Sequence, residues 1–71
     1  MEFEYISDYQ KDRNTYRDKM IRRVLESRGI EIEGRADVYN AYEYTEDGRI
    51  AMKGMCLVTD SQELIWIMLE R

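Results

Sequence analysis

The apolar positions change period several times along the chain. Glu2-Phe3-Glu4-Tyr5 alternates with period two, the pattern of a short strand with one apolar face. Ser7 and Gln10 then stand at capping-box spacing. From there Tyr9, Tyr16, Met20, Ile21, Val24 and Leu25 fall on one side of a 3.6-residue wheel. This predicts a helix over 8–28, ended by Gly29 in a left-handed conformation with Ile30 folding back on the last turn. Ile30-Glu31-Ile32-Glu33 alternates again and predicts a strand, with Gly34-Arg35 as a turn.

From Val38 to Thr45 the chain is rich in β-branched and aromatic residues, and Glu46-Asp47-Gly48 suits a three-residue hairpin loop. Residues 49–58 form the return strand. Pairing Tyr44 with Ile50, Tyr42 with Met52 and Val38 with Cys56 keeps one face apolar. The run Leu64 to Leu69 is apolar throughout, so periodicity alone does not separate strand from helix. Thr59-x-x-Gln62 and Asp60-x-x-Glu63 resemble helix starts. A four-residue loop over 60–63 would instead pair Val58 with Ile65, Cys56 with Ile67 and Lys53 with Glu70, and we favour that strand. The fold class expected is α+β in a single domain, 1–71. One long N-terminal helix packs on a small antiparallel-dominated sheet, in the order β-α-β-β-β-β.

Length sharpens this picture. A chain of 71 residues leaves a large share of its surface in water and has a thin core. Cys56 is the only cysteine and there is no histidine, so a disulfide within the chain and a structural zinc site are both unsupported. Good packing or a partner is left to supply stability. The lone thiol suits a reducing compartment, Met1-Glu2-Phe3-Glu4 is acidic where a signal peptide is basic, and no apolar run approaches a membrane span. The expected location is cytoplasmic, with no membrane partner.

Charge is unevenly placed. Lys11, Arg13, Arg17, Lys19, Arg22, Arg23 and Arg28 against Asp8, Asp12, Asp18 and Glu26 make residues 8–28 +3; a net −4 leaves the remainder at −7. Catalytic signatures do not emerge. Without histidine there is no Ser-His-Asp or Cys-His unit, and the four glycines are scattered rather than gathered in a phosphate loop. Glu46-Asp47-Gly48 lacks the alternating ligands of a calcium loop. No enzyme, metal or cofactor is expected.

Three constellations remain. A β-α-β unit built from 2–5 and 30–33 would turn Phe3, Tyr5, Ile30 and Ile32 to the helix. Glu2, Glu4, Glu31 and Glu33, with Glu43 beside them, would share the other face as an acidic docking surface. In the hairpin register above, Tyr39, Met55, Leu57, Trp66 and Met68 would form an apolar patch on the reverse face, the kind that marks an interface. Arg13, Arg17, Arg22 and Arg23, interleaved with tyrosine, would suit phosphate contacts.

The expected function is a small acidic protein-binding module, with a homodimer among its states. It would regulate or inhibit a larger protein partner by surface occlusion, in the style of phage or mobile-element proteins that act on host machinery or defence. The alternative is a small DNA-binding regulator using the basic helix 8–28, although nucleic acid is not the expected ligand of so acidic a chain.

Overall fold

The computed structural model describes residues 1–69. Its elements are β1 (Glu2–Gln10), α1 (Tyr16–Ser27), β2 (Arg35–Tyr44), β3 (Ile50–Thr59) and β4 (Leu64–Leu69). The strands form one antiparallel sheet in the order β1-β2-β3-β4. The α+β class therefore holds in its coarse form, but the helix is short and lies mid-chain. Residues 8–10 belong to β1, where Tyr9 is buried. The N-cap is Thr15, whose hydroxyl accepts from the Asp18 amide at 3.2 Å. Thr15-x-x-Asp18 thus performs the capping that Ser7-x-x-Gln10 was expected to perform, and the Ser7 hydroxyl instead accepts from Arg17 Nη1 at 2.9 Å.

The C-terminal end of α1 behaves as its sequence predicts. Gly29 takes φ +68° and donates to Glu26 O at 3.1 Å, while Ile30 donates to Leu25 O at 2.9 Å. These are the paired bonds of a Schellman cap. The next segment is a correction. Residues 30–33 have no ladder partner, so the sheet has four strands rather than five and contains no parallel β-α-β unit. Twelve helical residues rise about 18 Å, and a run of six or seven extended residues covers a similar distance in reverse. The chain leaves the end of β1, climbs α1, and returns along 28–34 to the point it left, where Lys11 N donates to Gly34 O at 3.3 Å and Arg35 pairs with Gln10. The Ile30/Ile32 alternation is that return leg packing inward: Ile32 is buried, and Ile30 packs against the same cluster. The turn predicted at Gly34-Arg35 falls instead at Glu33 and Gly34, because Arg35 already opens β2.

Tyr9, Ile21, Leu25, Ile32, Ala36, Val38, Leu57 and Ile67 form the core between α1 and the sheet. Each fully buried aliphatic side chain contributes roughly 1.5–3 kcal/mol, so few residues hold the helix in place. Tyr16 and Met20, predicted for the apolar stripe, are exposed; Asp18 takes the inward position with Ile21 and Leu25.

The hairpin keeps its predicted register near the tip, with Tyr44 opposite Ile50, Tyr42 opposite Met52, and Gly48 at φ +81°. A bulge then skips Lys53, so Val38 faces Leu57 and Tyr39 faces Cys56. Further bulges lie at Ile6 in β1 and Ile67 in β4. The last segment is a strand after a four-residue connection, as favoured, with Gln62 at φ 68° in the turn. Its register differs by one: Val58 pairs with Leu64 and Cys56 with Trp66. The Lys53–Glu70 pairing lies outside the described residues. Among the described residues, no helix is long and apolar enough to cross a membrane.

Candidate functional site: the helix-free sheet face

With α1 on one face, the other face has no covering element among the described residues. Strand alternation and the observed pairings identify what lies there. Tyr5, Tyr39, Cys56 and Trp66 stand opposite one another across all four strands. Tyr5 meets Tyr39 edge-on, with ring centroids 5.6 Å apart, and Phe3 reaches Trp66 at 6.3 Å. Beside this row, Phe3, Tyr39, Val58 and Leu64 wall a wholly apolar, shallow depression of about 350 Å³.

Phe3, Tyr5 and Leu64 are 50%, 55% and 51% exposed. Half-exposed side chains of this size leave roughly 300 Å² in water, which matches the largest patch on an ordinary monomer, often a functional one. Tyr39, Val58 and Trp66 are half-buried beneath them, and Cys56 is fully buried. Burial pushes the Cys56 thiol pKa up, so it serves as packing rather than as a nucleophile.

Charges sit at the ends of this face and are largely paired. At one end Arg35 bonds Asp37 at 2.5 Å and Asp60 at 3.3 Å, and lies 3.8 Å from Asp8. At the other, Lys53 lies 3.6 Å from Glu43. An apolar centre between polar ends is the layout of a protein contact surface.

The structure divides the predicted patch. Tyr39 and Trp66 lie on the helix-free face, together with Cys56 and Val58 rather than opposite them. Leu57 is fully buried under α1, Met55 packs against that core, and Met68 pairs with Met55. The bulges that skip Lys53 and Ile67 reverse the alternation on which the patch rested. The bulge at Ile6 does the same in β1, so Phe3 and Tyr5 point away from the helix they were expected to meet. No residue type in β1 announces that bulge; only its partner strand reveals it.

The acidic quartet is not assembled either, because it required a parallel pairing. Glu2 and Glu4 stand opposite Tyr42 and Asn40 and accept from the Tyr44 and Tyr42 hydroxyls at 3.3 and 3.4 Å. Glu31 pairs with Lys11 at 3.3 Å in the connection that also holds Glu33. Glu43 belongs to the opposite face, with Lys53.

The basic residues are mostly engaged within the fold. Arg13 bonds Asp18 at 2.6 Å and Asp8 at 3.0 Å, Arg22 donates to Arg13 O at 2.7 Å, and Arg17 bonds Ser7. Arg28 donates to the main-chain oxygens of Trp66 and Ile67. Of the cations of α1, the side chains of Lys19 and Arg23 make no ion pair or hydrogen bond among the described residues. A second depression of about 350 Å³, beside the end of α1, sets Lys11 and Arg22 against Glu26 and Glu31 and favours no ligand of one sign.

Among the described residues, no group of three or more carboxylates or thiols could hold a metal. Compared with protein families, curated proteins and solved structures, the chain matches none.

Proposed function

We propose that the chain is a small protein-binding module that works through its helix-free sheet face, covering a surface of a larger partner and so regulating or inhibiting it. The observation that carries this reading is the half-exposed aromatic and aliphatic group of Phe3, Tyr5 and Leu64 around the sole tryptophan, on a face without a covering element among the described residues. Aromatic anchors with polar ends are what a protein surface recognises; a phosphate backbone requires free cations. Most of the arginines in and around α1 are engaged internally, which favours a protein partner over the DNA-binding alternative. Origin in a phage or mobile element belongs to the same proposal, and gene neighbourhood is its test.

The experiment compares partner retention by three tagged proteins: wild type, Leu64→Glu with Phe3→Asp, and Lys19→Glu with Arg23→Glu. Polypeptides held by the wild type are identified, purified and titrated against each. Loss of roughly 100-fold or more in affinity from the face variant, with little change from the helix variant, is the expected result. Loss confined to the helix variant would move the site to α1.

A further inference from the structure

We infer that the occupant of this face in the free protein is a second copy of the same chain, the two sheets closing face to face. The inference rests on the proposed docking role of the face and names what covers it before a larger partner arrives.

Size is the first ground. β1, β2 and β3 run ~30 Å and the six-residue β4 ~20 Å; at a spacing of ~4.8 Å they outline roughly 530 Å². Two such faces bury about 1,100 Å², the lower edge of specific interfaces, so the pair is reversible rather than permanent. Shape is the second. Two sheets pack ~10 Å apart when each offers an apolar inner face, as in a sandwich. Here the partner sheet would complete on the free side the layer that α1 completes on the other.

Charge is the third ground. The face carries its charges at its ends, and Arg35 with Asp37 and Lys53 with Glu43 are paired within one copy. Two copies therefore meet through Phe3, Leu64 and Trp66 without burying an unpaired charge.

The sheet edges supply the fourth ground, because they discourage the rival geometry of strand-to-strand pairing. At β4 the Arg28 guanidinium occupies the main-chain oxygens of Trp66 and Ile67. At β1 the Ile6 bulge and the charged Glu2, Glu4 and Asp8 interrupt the edge. Bulges and edge charges are the usual protections against edge pairing. With the edges closed, the face is the surface left for self-association.

Trp66 is the only tryptophan and lies in the proposed contact, so its emission reports pairing directly. The experiment follows sedimentation equilibrium and the Trp66 emission maximum from ~1 to ~500 µM, a range suited to an interface of this size. The wild type is compared with Leu64→Glu, Phe3→Asp and Arg28→Ala. Leu64 and Phe3 are half exposed, so their variants keep the fold, which circular dichroism verifies.

A dimer in the upper part of the range, with a blue shift that follows it, is expected. Leu64→Glu and Phe3→Asp should weaken pairing ~10-fold or more, and Arg28→Ala should leave it through the same face. A wild type that stays monomeric throughout would overturn the inference. So would a dimer equally tight in both face variants, or one that forms only in Arg28→Ala. A monomeric wild type whose identified partner is still lost in Leu64→Glu would refute the dimer and leave the docking role standing. Face-dependent pairing with partner binding unchanged would do the reverse.

Discussion

Asp18 is the one fully buried carboxylate among the described residues, and replacing it tests how α1 is fastened to the sheet. Its Oδ1 accepts from the Gln10 amide at 3.0 Å and Arg13 Nη2 at 3.1 Å; its Oδ2 accepts from Arg13 Nε at 2.6 Å and from the Thr15 hydroxyl. The carboxylate thus joins the end of β1 to the first turn of α1, with Arg13 passing on to Asp8. Asp18→Asn keeps the shape but turns an amide nitrogen toward two donors. Breaking a buried pair by removing one partner costs about 3–5 kcal/mol; solvent access on the Arg13 side brings the expected loss to ~2–3 kcal/mol. Against a total of ~5 kcal/mol for so small a domain, that lowers Tm by roughly 10–20 °C. Urea unfolding followed by circular dichroism measures it. Asp18→Leu with Arg13→Met should recover much of the loss, since an apolar pair leaves no charge stranded. A single-variant loss below ~0.5 kcal/mol would refute the assignment of Asp18 as the fastening point.

Acid should act through the same network. Asp18 is held well below the ordinary carboxylate range, first by the Arg13 hydrogen bond, and Asp8 is lowered first by the Gln10 hydrogen bond and then by Arg13. Depressed carboxylates contribute stability above their unfolded pKa of ~4 and lose it as pH falls through the folded values. A urea midpoint that declines below pH ~4, less steeply in Asp18→Asn, is expected; identical acid limbs would contradict it. Cys56, fully buried in β3 between Tyr39 and Trp66, should react with a thiol reagent only as fast as the protein opens, so a native rate equal to that in urea would contradict its placement. Ile32-Glu33-Gly34-Arg35 matches the tetrapeptide cut by the clotting protease factor Xa, but Ile32 is buried and Arg35 sits in β2, so the native protein should resist cleavage for hours. Rapid cleavage would show that the connection opens.

The parts of the fold legible in the sequence are those that one local interaction decides. Gly29 and Ile30 mark the helix end because the Schellman bonds span only six residues. Gly48 marks the hairpin tip for a similar reason, and the register beside it is correct as far as Met52. Past that point the alternation depends on where a residue is skipped. Gly54 hints at the bulge before it, but nothing local singles out Ile6 or Ile67. Each skipped residue exchanges the two faces: the predicted patch crosses the bulges at Lys53 and Ile67, and the predicted orientation of Phe3 and Tyr5 crosses the one at Ile6. The predicted patch therefore shares Tyr39 and Trp66 with the helix-free face but omits Phe3, Tyr5 and Leu64. The helix start failed differently. Ser7-x-x-Gln10 and Thr15-x-x-Asp18 are comparable local signals, and the choice between them is tertiary, made by burial of Tyr9 in β1 and of Asp18 beneath Arg13.

The helix-free face is the docking surface on which the proposed function depends. Side-chain oxidative footprinting of the full chain, below the concentration at which copies pair, tests it with and without the purified partner. Tyr16, on α1 and 85% exposed, is the internal reference. With this face as the docking surface, the partner protects Phe3, Tyr5 and Leu64 while Tyr16 reacts as before. Protection of Tyr16, with Phe3, Tyr5 and Leu64 still fully reactive, would contradict it.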